Sequence, residues 1–478
     1  MTSPPADEPL AQPAPLPPST PGPARARAAR ARLADLAERA TRMGVPPWRL
    51  RAPELVLAPR RPAWLIYLSV LGPGLVAASA GNDVGGIATY AAVGARYGYD
   101  LLWMMVAITI AMIAVQEQCA RMGAVTGKGL SDLIREQFGP RWTVVAMLCL
   151  LVANGAVIIT EFVGIGAAAE LFGIRRYLAV PLMGALVWWL IVWGNYRHVE
   201  RFFLALTLAF FAYPVAAFLA SPDWGLALRR AIVPTIHPEP EYVLLFVATV
   251  GTTITPYMQM YQQDAVVEKG ITPAELRFTR LDVIAGCVFS NLIAVFVIIA
   301  TAATLYAAAQ RAGQAGYEIG TAEEAARALA PVAGPFAAQL FALGIYGASM
   351  LAAGVLPLAT AFSICQAFGW ERGLGLGFRE APIFYGLLTC LMAVGTLVAL
   401  IPDLPVIRLL ITVQFVNGLL LPVLLVFITR MAGDRDLMGP YVNGPLYRVF
   451  AWAITVIIAA LALLAVLTSV ILPLAGLG

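Results

Sequence analysis

Apolar runs of about 20 residues, the length a helix needs to cross a bilayer, follow one another along this chain with only short polar connections. They fall near 64–95, 101–123, 142–171, 177–195, 202–220, 242–268, 281–309, 332–366, 382–401, 405–429 and 447–472. The expected fold is therefore an all-α polytopic membrane protein with about 11 transmembrane helices. The 332–366 run is long enough for its last part to leave the membrane as an amphipathic extension. With 60% hydrophobic residues, 13% charged residues and a mean hydropathy of +0.78, a soluble domain is excluded.

Residues 1–62 read as a separate cytoplasmic tail, disordered and rich in Pro, Ala and Arg, ahead of a transmembrane domain over 63–478. From Ala24 to Met43 the tail is a solvated segment or a basic helix lying on an anionic membrane face. No apolar signal-peptide core follows the start. The tail carries ten Arg against five Asp/Glu, a net +5 that leaves −1 for the rest, so the total of +4 does not point to nucleic acid. Cys119, Cys149, Cys287, Cys365 and Cys390 lie in or at the ends of apolar runs without a C-x-x-C pair, and read as packing residues. With the N-terminus inside, twelve Lys/Arg fall in cytoplasmic connections and six in external ones. That asymmetry favours N-in and, for eleven spans, C-out.

Two spans are interrupted. Gly72 to Thr89 reads GPGLVAASAGNDVGGIAT and carries Asp83, a carboxylate at membrane depth, where an ionisable group is costly and by default functional. Gly81, Gly85 and Gly86 around it offer backbone freedom for unwinding. Gly251 to Asp264 reads GTTITPYMQMYQQD, where Pro256 removes an N–H and disfavours helix at Thr255. These are the first and sixth spans, equivalent places in two five-span halves at about 63–220 and 241–430, with helix 11 beyond. Inverted repeats led by broken helices place substrate at the bilayer midplane. Irregular backbone there must line a cavity or be buried in protein, so the two breaks are expected to share one site.

The stretches GPGLVAASAGNDVGGIATYAAVGARYGYDLLW (72–103), MGAVTGKGLSDLIREQFG (122–139), TEFVGIGAA (160–168), SPDWGLALRRAIVP (221–234), TPYMQMYQQ (255–263) and DRDLMGPYVN (434–443) resemble the Nramp divalent-metal transporters, from about Trp64 to Leu472. The resemblance implies the LeuT-like fold and a bound divalent ion. It also exposes departures. Where the family has Asp-Pro-Gly-Asn, this chain has Asp83, Val84, Gly85 and Gly86, keeping the carboxylate and losing the amide. Where the family has Met-Pro-His, it has Thr255, Pro256 and Tyr257, and the second histidine of that helix corresponds to Gln262. The acidic pair of the third span is reduced to Glu161, with Ile158 at the other position, while Gln414 matches a glutamine offered to the ion and Asn417 follows one turn on.

The resemblance thus implies an ion site of Asp83, the carbonyls of Ala80 and Thr252, and Thr255, Tyr257 and Gln414, oxygen donors throughout, with Gly86 at the position of the lost amide contributing no side-chain ligand. Thioether and imidazole favour softer transition metals, whereas carboxylate, carbonyl and water suit Mg, Ca and Mn. Mg2+ dehydrates reluctantly and is held by one or two carboxylates with several waters. The expected cargo is partly hydrated Mg2+, with Mn2+ accepted, as in the Nramp-related magnesium transporters.

Asp83 has a competing reading as a helix cap. Thr255 and Tyr257 are ligands or wall residues that reach the ion through water. Gln414 and Asn417 are ligands or partners in interhelical hydrogen bonds. Glu161 is an ion-path group or a structural carboxylate, and Glu117 an inner-mouth attractor or a snorkelling carboxylate. The two histidines, His198 and His237, lie in connections, so no imidazole relays protons within the membrane, and transport is expected to be uncoupled from protons. The competing functions are a proton-coupled Mn2+/Fe2+ carrier and a non-transporting metal sensor. An amino-acid carrier is disfavoured because Asp83 would repel a substrate carboxylate. G-x-x-x-x-G-K-[ST] and H-E-x-x-H are both missing, which argues against a pump and a metalloenzyme. No resident cofactor is implied, and the protein is expected to be a monomer in the cell membrane.

Overall fold

The computed structural model describes residues 82–193, 211–237, 239–373 and 376–471. The 1–62 tail, the first half of span one with Ala80 and Gly81, the connection holding His198 and the start of span five lie outside them. Among the described residues every regular element is helical.

The chain order is α1 (Val84–Tyr97), α2 (Leu102–Thr126), α3 (Leu130–Leu171), α4 (Arg176–Val192), α5 (Ala212–Leu219), α6 (Trp224–Ile232), α7 (Pro240–Thr253), α8 (Pro256–Glu268), α9 (Leu276–Thr301), α10 (Ala337–Phe368), α11 (Pro382–Ala399), α12 (Val406–Ala432) and α13 (Pro445–Val466). Eight helical stretches among the described residues are long and apolar enough to cross a membrane: α2, α3, α7 with α8, α9 with its continuation to Arg311, α10, α11, α12 and the α13 stretch. The 17-residue α4 is apolar but shorter. Spans one and five are represented by α1 and α5 alone.

Local chemistry sets the ends. Gly127 closes α2 in the left-handed region at φ 64°, where a side chain would be strained. α3 starts twelve residues before the apolar run at 142–171, because a polar helix with Asp132, Arg135 and Glu136 joins the span at Gly139, whose φ is 77°, ahead of Pro140. The 32 residues of α10 extend to ~48 Å at ~1.5 Å per residue, more than the ~30 Å hydrocarbon core, in line with an extension beyond the membrane. Outside the runs, α6 is a short helix capped by Asp223, which accepts the Leu226 amide at 2.9 Å, with Arg229 and Arg230 in its last turn.

α1 lies at the centre, against α9, α12, α7 and α3, while α8 packs on α2 and α3 runs along α10. Small residues permit these crossings, as in membrane bundles generally. A Cβ on Gly251 of α7 would lie 2.1 Å from the Gln414 carbonyl of α12, and one on Gly94 of α1 would lie 2.4 Å from the Ile298 carbonyl of α9.

Candidate metal-ion site

The sixth span breaks as the sequence predicts. α7 ends at Thr253, Thr255 is extended at φ −71° and ψ 147°, and Pro256 occupies the first turn of α8. A continuous helix would pair the N–H of residue 256 with the carbonyl of Thr252. Proline has no N–H, so the Thr252 carbonyl has no such donor. The negative end of the α7 dipole adds to its attraction for a cation.

In the first break, Asp83 is the N-cap of α1 and its Oδ1 accepts the Gly86 amide at 2.5 Å. Gly85 and Gly86 do not unwind the chain as the sequence suggests: both are helical, in the first turn of α1. Gly86 supplies the capping amide. Gly85 supplies space, since a Cβ there would lie 2.2 Å from Gln414 Nε2.

Gln414 reaches across from α12, and its Nε2 is 3.4 Å from each Asp83 oxygen. Asn417 Nδ2 donates to Gln414 Oε1 at 2.9 Å. That bond is within α12, not between helices, because residues three apart share a helix face. Asp83 is 2% exposed and Gln414 fully buried, so both are withdrawn from bulk water. Tyr257, Asp83 and Glu161 lie within electrostatic reach of one another. Glu161 of α3 is fully buried, and neither carboxylate oxygen has a partner in hydrogen-bonding geometry. The Ser349 hydroxyl and the Val84 amide lie close enough to act on it electrostatically.

The hydroxyls of Thr252 and Thr255 are buried without hydrogen-bond partners, and so are both amide atoms of Gln262, a turn and a half along α8. Unpaired buried oxygens are costly, which fits a lining that meets water or an ion. Tyr257 is also buried. Met258, the sulfur nearest in sequence, faces α2, with Sδ 4.0 Å from Gln116 Nε2. No group of three or more His, Cys, Asp or Glu able to hold a metal occurs among the described residues. The arrangement offers an oxygen-rich site with Asp83 at the break and Glu161 within electrostatic reach of it, in place of a polyvalent cage.

Two residues differ from what their sequence context suggests. Glu117 is neither an open attractor nor a snorkelling carboxylate, because it accepts from Arg121, Arg280 and the Tyr447 hydroxyl. It belongs to a separate cluster. Asn82 is not marked by the motifs of the first break, yet it is 8% exposed, its Nδ2 donates to Ser290 of α9 at 3.1 Å, and its Oδ1 is buried without a partner. An amide beside a lone carboxylate in a glycine-rich break is the signal that points to it.

The profile of the Nramp family, natural resistance-associated macrophage protein-like, matches residues 74–468. The divalent metal cation transporter MntH of Ralstonia nicotianae is 29% identical over 436 residues, covering 85% of this chain and 92% of the relative. MntH of Deinococcus radiodurans is 29% identical over 415 residues, covering 82% and 88%. Among solved structures, the Eremococcus coleocola manganese transporter superposes with a TM-score of 0.67 at 19% identity, covering 86% of this chain and 88% of that one. MhsT, in complex with L-phenylalanine, gives 0.55 at 14% identity, covering 84% and 97%. At these identities the structural likenesses speak for the fold: a LeuT-like arrangement of two inverted five-helix repeats with one further helix.

Proposed function

The chain belongs to the Nramp family, and we propose that it carries divalent metal ions across the cell membrane by alternating access, with partly hydrated Mg2+ as preferred cargo and Mn2+ accepted. Its relatives are named as transporters of divalent metal cations, and the role is transport and not catalysis. The observation that carries the Mg2+ reading is the lining itself. Asp83 faces Gln414 and lies within electrostatic reach of Tyr257. Thr252 and Thr255 flank the break of the sixth span with buried, unpartnered hydroxyls, and Met258 turns away toward α2. Such a lining supplies hard oxygen donors and no soft ones. With few side-chain ligands, it suits an ion that keeps part of its water.

In this reading Asp83 is the charged ligand, held by the Gly86 amide, and the carbonyls of Ala80 and Thr252 frame the ion. Gln262 and Glu161 are ion-path groups of this reading, and Asn417 orients the Gln414 amide. The excess of basic residues in the connections expected inside supports an N-terminus inside and a C-terminus outside.

Transport by proteoliposomes tests the selectivity. Saturable Mg2+ uptake is expected, with weak Cd2+ uptake, and Thr255→Met is expected to raise Cd2+ affinity by adding a thioether at the break. Robust Cd2+ or Fe2+ flux without Mg2+ flux sinks the selectivity reading. An unchanged Cd2+ affinity in the variant removes Thr255 from direct contact with the ion.

A further inference from the structure

A cavity of about 560 Å3 opens between α2, α9 and the segment that leads into α13. It is separate from the two breaks, and its size falls within the ~300–1,000 Å3 typical of ligand sites.

One end is ionic. Glu117 of α2 accepts Arg121 Nε at 3.0 Å, Arg280 Nε at 2.9 Å and the Tyr447 hydroxyl at 3.1 Å. Arg121 is 4% exposed, and its remaining arms hold the Tyr441 carbonyl and Asn443 Oδ1. All three of its nitrogens are thus committed to protein. One carboxylate faces two guanidinium groups, leaving a surplus positive charge. That surplus sits on Arg280, whose side chain is 51% exposed and whose two terminal nitrogens have no partner among the described residues. The other end is apolar, formed by Ile110, Ile113 and Phe450, with Ile110 51% and Phe450 40% exposed on the lipid-facing surface.

An occupant must bring an anion to Arg280 and hydrocarbon to the wall below it. Basic pockets between transmembrane helices accept anionic lipid head groups. A soluble anion makes no use of the apolar wall, and a zwitterionic lipid brings its own cation against Arg280. We propose that this cavity seats an anionic phospholipid, its phosphate on Arg280 and an acyl chain along Ile110, Ile113 and Phe450.

Native mass spectrometry of the detergent-purified full chain, incubated with phosphatidylglycerol or phosphatidylcholine, tests this. The wild type is expected to retain phosphatidylglycerol in preference to phosphatidylcholine. Arg280→Gln is expected to lower that retention about fivefold, the loss for one basic residue near the membrane surface, and Arg280→Lys to restore most of it. Ile113→Trp, which fills the apolar wall without altering charge, should reduce retention of either lipid. Equal retention of the two lipids by the wild type, or unchanged retention in a monodisperse Arg280→Gln, overturns the proposal. Retention of inorganic phosphate with no retention of either lipid makes this an anion site only. Phosphatidylglycerol retention that appears only after deletion of residues 1–62 assigns the cavity to the chain's own tail. Either result also overturns the lipid assignment.

Discussion

The Asp83 side chain serves as N-cap and candidate ligand at once, with Oδ1 on the Gly86 amide and both oxygens facing Gln414. The two roles separate under Asp83→Asn. Asparagine caps as well as aspartate, has nearly the same shape, and removes a charge that is costly in a membrane. Thermal melting of this variant is therefore expected at or above the wild-type temperature while Mg2+ uptake falls to background. A variant that melts lower yet still transports would reduce Asp83 to a structural cap. The neighbouring amides show how the site could respond to an ion. Gln414 turns its Nε2 toward Asp83, its Oε1 is held by Asn417 Nδ2, and Asn417 Oδ1 is unpartnered. Rotating both amides by 180° would present Gln414 Oε1 to a cation beside Asp83 and let Asn417 Oδ1 accept the displaced Nε2. The Gln414–Asn417 pair thus serves an empty site or an occupied one at the cost of two side-chain rotations.

At the level of elements, the site depends on how closely α7 approaches α12. Gly251 and Gly418 make that crossing, since a Cβ on Gly251 would lie 2.1 Å from the Gln414 carbonyl and 2.3 Å from the Gly418 nitrogen, both backbone atoms. Gly251→Ala must push the helices apart, and overpacking of this kind costs ~1–3 kcal/mol. The variant is expected to melt at a lower temperature and to lose Mg2+ affinity, because Gln414 moves with α12. Gly386→Ala on α11 has open space around it and should melt no lower than wild type, as alanine is favoured over glycine within a helix by ~0.5–1 kcal/mol. Wild-type melting of Gly251→Ala would refute the close crossing. This dependence also explains how far the sequence can be read. The sixth-span break is legible because proline acts locally on Thr255 and on its own missing N–H. Asp83, Thr255, Tyr257 and Gln414 are legible from residue type and motif. The start of α3 at Leu130 is hidden because Asp132, Arg135 and Glu136 interrupt the apolar pattern that marks a span. The engagement of Glu117 is hidden because Arg280 and Tyr447 lie 163 and 330 residues away. The role of Gly85 depends on which side chain crosses above it, and no local pattern encodes that.

For the molecule as a whole, the question is what drives the ion. A membrane potential acts on each elementary charge with ~2.3 kcal/mol per 100 mV, or ~4.6 kcal/mol for a divalent ion. That is equivalent to more than about three decades of accumulation, so protons are not needed as a source of energy. The titratable groups point the same way. His237 lies in a connection, with Nε2 2.8 Å from Asp100 Oδ2 and its ring stacked on Tyr97, away from the breaks. Among the described residues Glu161 is a further carboxylate within electrostatic reach of Asp83 and Tyr257, and it lacks the second acidic residue because Ile158 occupies that position. Proteoliposomes holding an internal Mg2+ dye and, in parallel, an internal pH dye decide the matter. With equal Mg2+ on both sides and an inside-negative potassium diffusion potential, internal Mg2+ is expected to rise while internal pH stays level. With the potential collapsed, a pH gradient of either sign should drive no Mg2+ movement. If a pH gradient alone accumulates Mg2+, Glu161 becomes the leading proton site, Glu161→Gln should abolish that accumulation, and uncoupled transport is refuted. If potential alone suffices, a carrier with one charged ligand works as a voltage-driven path for a hydrated divalent ion.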